Sequence, residues 1–472
     1  MFDLIPFMDE VHIVEIGRLC LCGGDPYTIL MAPDGSPAMS IYYVGPCIQE
    51  FAFRLLGSAG PRITSLVGAF LSAFLFWTWL RKTSAFSRGI RLLLSLVALT
   101  VPVMFQCIIM GRADNLAIAC AFAILALLGS PLEERSALRL AAAGFLAALS
   151  VFIWPSSMMF APLYPVFCFN LQRRREFAIF CLSGLLALPI LLIPVYPVMG
   201  IVLNTLSHHI DPNTVTLAAV AMGAATAIVK EIGRAPLLLA LAATGFAVWI
   251  HQRRFMAALA FAASFTLGCL TGLYTFRFVY LTPLLLLMTA DAAAALERSA
   301  PRLNRILLGL TCVYGFLTGP IGHLLTPHEV LPQNLKSELA DSVGTGPIKV
   351  FAPDYATYYI GRELGWRQFA YARAGSCSDP DKLHSCLDKA DAVVLYDWDP
   401  YQTIQESCTP YGYFSKYVLT AARREKDSPS KSWSARFGSQ YANPWREPFV
   451  PAGFHEVKKI GPVLVYLKNR SS

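Results

Sequence analysis

The sequence predicts a polytopic α-helical membrane protein of about 10–11 transmembrane helices with a C-terminal extracytoplasmic α/β domain. Only 15% of the 472 residues are charged, whereas an average soluble chain has about 25%. The apolar residues form continuous runs of roughly 16–28 residues, the length that a helix needs to cross about 30 Å of hydrocarbon. After about residue 328, the composition changes to that of an ordinary polar chain.

Ten apolar runs are the candidate spans. They cover approximately residues 63–80, 92–110, 115–130, 138–153, 156–170, 177–203, 235–251, 255–274, 278–295 and 304–324. The stretch TVTLAAVAMGAATAIV at 214–229 is weaker and ends in Lys230-Glu231, so we interpret it as an interfacial or re-entrant helix. Residues 1–60 are expected to form a first extracytoplasmic loop, whose amphipathic segment PCIQEFAFRLLG lies along the membrane plane.

The positions of the basic residues predict the orientation of the spans. Alternate turns contain Arg81, Lys82, Arg88, Arg91, Arg135, Arg139, Arg173, Arg174, Arg175, Arg253, Arg254, Arg298, Arg302 and Arg305. Short loops rich in Lys and Arg stay in the cytoplasm, so this side is predicted to be cytoplasmic. The first loop, the GRAD turn at 111–114, the SHHIDPNT loop and LYTFRF then share the opposite face.

The polar C-terminal segment has an α/β pattern of its own. IKVFA at 348–352, DAVVLYD at 391–397 and PVLVYLK at 462–468 indicate strands, and DPDKLHSCLDKA at 379–390 indicates a helix with an aspartate cap. The sequence therefore divides into a transmembrane part at 1–327, which includes the first loop, and an extracytoplasmic α/β domain at 328–472.

Composition and cysteine spacing exclude several classes of function. The net charge of +8 comes from the basic turns, which indicates topology and not nucleic-acid binding. The 12 cysteines contain no C-x-x-C pair, and no His-Cys-carboxylate cluster argues for a metal. A disulfide can form between Cys377 and Cys386 if that region is extracytoplasmic. No cleavable signal peptide is visible.

Two charged pairs stand out on the non-cytoplasmic face. Asp9 and Glu10 precede a helical run, VHIVEIGRL, and suit either two solvated loop acids or a general base that deprotonates a hydroxyl. Arg112 and Asp114 lie in the GRAD turn, where the simplest roles are a snorkelling arginine and a helix N-cap. Both pairs are candidate site residues because they share one membrane surface.

A third candidate region surrounds Arg277 in GLYTFRFVYLTP, between Tyr274 and Tyr280. Such a residue is either an interfacial anchor or a phosphate ligand that makes charge-assisted hydrogen bonds. His208 is a further candidate for substrate binding. It is adjacent to His209, so on a helix the two rings would point apart, and loop histidines are favoured over a metal pair.

These motifs, in this order, resemble the GT-C superfamily of membrane glycosyltransferases, closest to protein O-mannosyltransferases and bacterial aminoarabinose transferases. The matching parts are the Asp-Glu pair in the first outer loop, PCIQEFAFRLLGSAGPRITS, GRADNLAIACAFAILAL and Arg277 before FVYLTP. The resemblance covers residues 1 to about 325 of the chain. Only eight residues precede Asp9, where relatives usually have a span, and Trp154-Pro155 stands where relatives often have a polar residue.

The resemblance implies an inverting transfer from a polyprenyl-phosphate sugar donor to a hydroxyl of a glycan, lipid or protein acceptor, in a bacterial inner membrane. It implies Asp9 as general base with Glu10 alongside, Asp114 as a shaping or polarising acid, and Arg112 and Arg277 as ligands of the donor phosphate. It implies no certain cofactor and leaves a divalent cation open. The alternatives are a transporter or lipid translocase, and a glycan-binding assembly subunit anchored by its spans.

Overall fold

The computed structural model describes most of the chain in thirteen segments. They are residues 8–22, 27–29, 40–129, 135–169, 174–200, 202–203, 217–270, 277–325, 331–352, 357–369, 387–396, 453–461 and 463–469. All structural statements below concern these residues. The proposed domain boundary near residue 327 and the predicted helix at 379–390 lie almost wholly outside them.

Most of the described residues are helical. The α-helices are α1 (Met8–Cys22), α2 (Val44–Leu56), α3 (Gly60–Thr83), α4 (Arg88–Leu99), α5 (Pro102–Ile109), α6 (Asp114–Leu128), α7 (Ala137–Ile153), α8 (Leu163–Phe167), α9 (Arg174–Leu192), α10 (Leu217–Arg234), α11 (Pro236–His251), α12 (Phe255–Leu270), α13 (Thr282–Ser299), α14 (Pro301–Phe316), α15 (Gly322–Leu325), α16 (Leu335–Val343) and α17 (Tyr358–Glu363). Short 3-10 helices cover Gly57–Ala59, Pro155–Phe160, Ile193–Val198 and Arg277–Leu281, and a π-helix covers Leu317–Ile321.

The structure confirms a polytopic helical membrane protein. Among the described residues, 4 helices are long and apolar enough to cross a membrane, and up to 6 if two bent helix pairs each form one span. The 4 are Val44–Thr83, Arg174–Val198, Arg277–Ser299 and Pro301–Leu324. Helices Asp114–Leu128, Ala137–Ile153 and Phe255–Cys269 are apolar but shorter. The predicted number of 10–11 spans stays a prediction.

One predicted span has a different structure. Within the predicted span 156–170, the described residues 156–169 contain the 3-10 helix Pro155–Phe160 and the five-residue α8 rather than one continuous helix. Pro155, Pro162 and Pro165 explain the break, because proline removes a helical hydrogen-bond donor and clashes with the preceding turn. Pro102 similarly starts α5 after a 46° bend from α4.

Two helix pairs of the bundle pack closely at glycine residues. Helices α3 and α6 pack against each other along their length, and their close contact depends on Gly68, where an added Cβ would lie 2.8 Å from the backbone of Asn115. Helix α13 packs against α11 through Gly245, where an added Cβ would lie 1.8 Å from the carbonyl oxygen of Met288. Small residues permit such close helix packing in membranes.

The C-terminal part, here called the C-terminal α/β segment (described residues 331–469), has a five-stranded sheet in the order β2-β1-β3-β5-β4. The strands are β1 (Lys349–Phe351), β2 (Arg367–Phe369), β3 (Ala392–Tyr396), β4 (Phe454–Ile460) and β5 (Val463–Lys468). β1 pairs in parallel with β2 and β3, while β5 is antiparallel to β3 and β4. The three strands predicted from the sequence are confirmed as β1, β3 and β5.

Candidate functional site

The acidic pair predicted from the sequence lies on α1, whose backbone includes both Asp9 and Glu10. The side chain of Asp9 lies outside what the structure describes. Glu10 is fully buried, with its Oε2 3.1 Å from Nη2 of Arg62 and its Oε1 accepting a hydrogen bond of 2.9 Å from the Tyr359 hydroxyl. A buried carboxylate is stable only when it is paired and hydrogen-bonded in this way.

The GRAD turn lies directly against this carboxylate. Gly111 has a φ of +54°, and a Cβ at that position would come within 2.8 Å of Cγ and Cδ of Glu10. Glycine is therefore required at position 111 for two reasons: the left-handed backbone conformation and the close approach to Glu10. The contact brings the two charged pairs predicted from the sequence to the same end of the bundle.

Arg112 and Asp114 form a buried ion pair within the turn. Nε of Arg112 donates to Oδ2 of Asp114 at 2.7 Å, and the guanidinium lies 4.8 Å from the ring centroid of Trp154. Asp114 is also the first residue of α6, where a negative charge is favoured by the helix dipole. The ring of Trp154 thus lies against the guanidinium of Arg112. Trp154-Pro155 is one of the positions at which the sequence differs from the family that it resembles.

Neighbouring polar contacts hold the turn in place. Asn115 donates from Nδ2 to the Ser65 hydroxyl and carbonyl on α3, at 3.0 Å and 3.2 Å, and to the carbonyl of Met104 at 3.0 Å. Gly45 at the start of α2 approaches Ala113 and the carbonyl of Ile153 so closely that a Cβ there would clash with both. The start of α6 is therefore fixed by three other helices.

Arg277 and Tyr280 come from the 3-10 helix that precedes α13. Residues three apart eclipse each other in a 3-10 helix, so these two side chains share one side of the turn. This 3-10 helix packs against α5 and α6, with Tyr280 buried and Arg277 half-buried one turn earlier. The candidates Tyr274 and His208 lie outside the described residues.

Several polar partners in this region are absent from the sequence-based prediction. Glu15 accepts hydrogen bonds from Arg18 at 2.6 Å and 2.8 Å, from Thr28 at 2.6 Å and from Tyr358 at 2.6 Å. Glu50 on α2 is paired with Arg54 at 2.7 Å and with Arg362 at 2.9 Å. The only sequence signal for these contacts is the spacing of Tyr358, Tyr359 and Arg362 in TYYIGRE, which places aromatic and basic groups on one short helix.

The surroundings of these groups set their ionisation. Burial alone raises the pKa of Glu15, but hydrogen bonds from Arg18, Thr28 and Tyr358 outweigh it, and the pKa lies below the usual 4.5. Burial and the nearby carboxylates raise the pKa of Tyr358 and Tyr359 well above 10, so both hydroxyls stay protonated donors. The pKa of Arg362 is raised by Tyr358 and Glu50 despite its burial.

The other end of the bundle contains a cavity of about 730 Å³, where α3, α6 and α13 end. Its walls include Trp79, Phe167, Arg254 and Asp291, and none of the predicted site residues. Arg254 and Asp291 form an ion pair of 2.8 Å in its wall, and Glu297 and Arg298 also line the cavity. Across the described ranges, no three His, Cys, Asp or Glu residues are grouped so that they could hold a metal ion.

The helical bundle and the C-terminal sheet together form a fold that is known from solved structures. Two solved structures are similar along the whole chain. ArnT from Cupriavidus metallidurans bound to undecaprenyl phosphate is 11% identical with a TM-score of 0.55, and the match covers 100% of this chain and 95% of that one. The same protein in the apo state gives 10% identity, a TM-score of 0.53 and coverage of 98% and 94%.

No family model matches the chain, and no curated protein matches it. The likeness to ArnT therefore concerns the fold, and the assignment of an activity depends on the residues of the site.

Proposed function

We propose that this chain is an integral-membrane glycosyltransferase that moves a sugar from a polyprenyl-phosphate donor to an acceptor hydroxyl. The observation that carries the proposal is the placement of the acidic helix α1 against the GRAD turn, within a fold shared at full length with a protein crystallised with undecaprenyl phosphate. A site made by the two predicted charged pairs is what a transferase of this kind requires.

The chemistry of glycosyl transfer fits this arrangement of charges. Positive charge develops on the sugar while negative charge develops on the departing phosphate, so fixed carboxylates and fixed cations stabilise opposite ends of the transition state. In the proposal, Asp9 is the general base that takes the proton of the acceptor hydroxyl in a single inverting displacement. Glu10, held by Arg62 and Tyr359, and Asp114, held by Arg112, supply negative charge that needs no reorientation during the reaction.

The donor phosphate is assigned to Arg112 and Arg277, with Tyr274, Tyr280 and His208 as further substrate-binding residues. The ion pair with Asp114 and the contact with Trp154 fix the plane of the Arg112 guanidinium before any donor binds. A preoriented guanidinium suits phosphate recognition, because its N–H groups match the geometry of phosphate oxygens. Arg277 precedes a helix N-terminus, where an anion is also favoured.

The proposed site faces the exterior of a bacterial inner membrane. The support is the positive-inside pattern, because the site lies at the end of the bundle away from Arg81, Lys82 and Arg298. On that face a polyprenyl-linked sugar and a glycan, lipid or protein acceptor can meet. The C-terminal α/β segment lies over the same end, beside α1 and α2.

The experiment is a turnover assay with purified protein in detergent and polyprenyl-phosphate sugars, which measures the release of polyprenyl phosphate. We expect activity for the wild type and a loss of about 100-fold or more for Asp9→Asn, as for removal of a general base. Asp341→Asn is the matched control, since Asp341 is an exposed residue of α16 outside the site. Normal turnover by Asp9→Asn would reject the assignment of the base.

The same preparation separates the rival functions. A translocase would move labelled donor across proteoliposome membranes without releasing polyprenyl phosphate. A glycan-binding subunit would do neither and would keep its cellular function in the Asp9→Asn variant. Either result, in place of turnover, overturns the proposed transferase activity.

A further inference from the structure

The short helix α17 of the C-terminal α/β segment contacts three acidic residues at the start of the chain. Tyr359 donates to Glu10 at 2.9 Å, and Tyr358 donates to Glu15 at 2.6 Å. Arg362 pairs with Glu50 through two hydrogen bonds of 2.9 Å and 3.2 Å. One turn and a half of helix therefore supplies partners to carboxylates on both α1 and α2.

The geometry of α17 makes these contacts simultaneous. Tyr358 and Arg362 are four residues apart, so they lie on one helix face, and Nη1 of Arg362 donates to the Tyr358 hydroxyl at 3.0 Å. The ring of Tyr359 stacks on Phe53 of α2 with centroids 4.9 Å apart, and the guanidinium of Arg362 lies 4.8 Å from the centroid of the same Phe53 ring. The contact surface is buried, with Tyr358 and Tyr359 only 2% and 5% exposed.

The hydrogen bond from Tyr359 differs from the other two because its acceptor belongs to the proposed site. Glu10 is adjacent to Asp9 in the first turn of α1, and it packs against Gly111 next to Arg112. Arg62 of α3 also donates to Glu10, from Nη2 to Oε2 at 3.1 Å. Tyr359 and Arg62 thus donate to different oxygens of the carboxylate that packs against the GRAD turn.

We infer that Tyr359 is a positioning residue of the transferase site, which fixes Glu10 and through it the turn of α1 that carries Asp9. This inference rests on the proposed function. The C-terminal α/β segment is thereby a part of the catalytic centre and not an appended module. Tyr359 touches neither donor nor acceptor in this role and acts only through Glu10.

The test is Tyr359→Phe in the full-length protein, which removes one hydroxyl and keeps the ring stacked on Phe53. Loss of one hydrogen bond to a charged group is expected to lower kcat about tenfold, while KM for the donor stays within about twofold. The acidic limb of the pH–rate profile should move to higher pH, because a hydrogen bond to a carboxylate favours its charged form. A loss of stability alone would not move that limb.

Trp366→Phe is the matched control. It removes the hydrogen bond of 2.8 Å from the indole to the carbonyl of Gly344 and makes a buried ring smaller, inside the same segment and away from α1. We expect an unchanged kcat and an unchanged pH profile for this variant. Equal loss of kcat in both variants would mean that the segment acts only through its stability, and it would overturn the assignment of Tyr359.

A double-mutant cycle, measured as the change in stability on thermal unfolding, tests this inference separately from the proposed function. Tyr359→Phe and Glu10→Gln should be coupled, whereas Trp366→Phe and Glu10→Gln should be additive. If the wild type shows no transfer and the first pair is coupled, the proposed function fails while the contact between Tyr359 and Glu10 stands. If the first pair is additive, or if Tyr359→Phe keeps full kcat in an active enzyme, the inference is wrong.

Discussion

Arg112 donates from Nε to Oδ2 of Asp114 at 2.7 Å, and the two side chains are 2% and 0% exposed. Each charge is therefore separated from water and neutralised by its neighbour. Replacing both members of such a pair by uncharged residues destabilises a protein less than replacing one member. The single remaining charge would be buried without a partner and without water. This asymmetry gives the first test.

We expect Arg112→Met to destabilise the protein by about 3–5 kcal/mol, because it leaves the carboxylate of Asp114 buried without its guanidinium. The double variant Arg112→Met/Asp114→Asn should be clearly more stable than the single one. Chemical unfolding in detergent micelles measures both. If the destabilisation of the double variant equals the sum for the single variants Arg112→Met and Asp114→Asn, the two side chains are not energetically coupled.

Gly111→Ala tests the contact between the GRAD turn and α1. Alanine at a φ of +54° is strained, and its Cβ would lie 2.8 Å from Glu10, so we expect a loss of about 1–3 kcal/mol. The control is Gly309→Ala in α14, where an added Cβ meets nothing within 4 Å, and a gain of about 0.5–1 kcal/mol is expected. Equal effects at the two positions would contradict the close approach of Gly111 to Glu10.

Acid should weaken the attachment of α1 through Glu15. Its pKa in the folded protein lies below the unfolded value of 4.5, so its stabilising contribution is complete above pH 4.5 and is lost as the pH falls through the lower folded value. We expect Glu15→Gln to be less stable than wild type at neutral pH, with a shallower fall in the melting temperature below pH 4.5. Parallel melting curves for the two proteins down to pH 3 would rule out this linkage.

The orientation of the bundle can be tested by labelling introduced cysteines in whole cells. Lys336 is 54% exposed and lies beside Glu363 of α17. Gly89 is exposed and follows the C-terminal end of α3, a helix about 36 Å long whose N-terminal end lies near the proposed site. Above the background of the native thiols, Lys336→Cys should react with an impermeant maleimide, whereas Gly89→Cys should react only after permeabilisation. The reverse pattern would place the proposed site in the cytoplasm.

The sequence predicts well those features that depend on neighbours along the chain. Apolar runs identify α3, α9, α13 and α14, the step from Asp114 into an apolar run identifies the start of α6, and the short segments DAVVLYD and PVLVYLK identify β3 and β5. The interruption at Pro155 is also visible locally, although the apolar run at 156–170 predicts a continuous span. In each case the physical cause acts within one or two turns of the residue concerned.

The contacts of the acidic helix are not predictable in this way. Tyr359 and Glu10 are 349 residues apart, and Arg62 and Glu10 are 52 residues apart, so no periodicity relates them. The sequence pattern indicates that Asp9 and Glu10 share a membrane face with the GRAD turn, but not that Glu10 is enclosed. The sequence does not distinguish Glu15 and Glu50 from solvent-exposed acids, because an acidic residue in an amphipathic helix normally faces water.

The ribosome makes the acidic residues of α1 and α2 well before their partners on α17, since 343 residues separate Glu15 from Tyr358 and 312 separate Glu50 from Arg362. Until α17 has been translated, these carboxylates lack the donors that α17 supplies. A chain terminated before α17 would therefore keep its acidic helices without these contacts, and synthesis itself sets the moment at which the arrangement is complete.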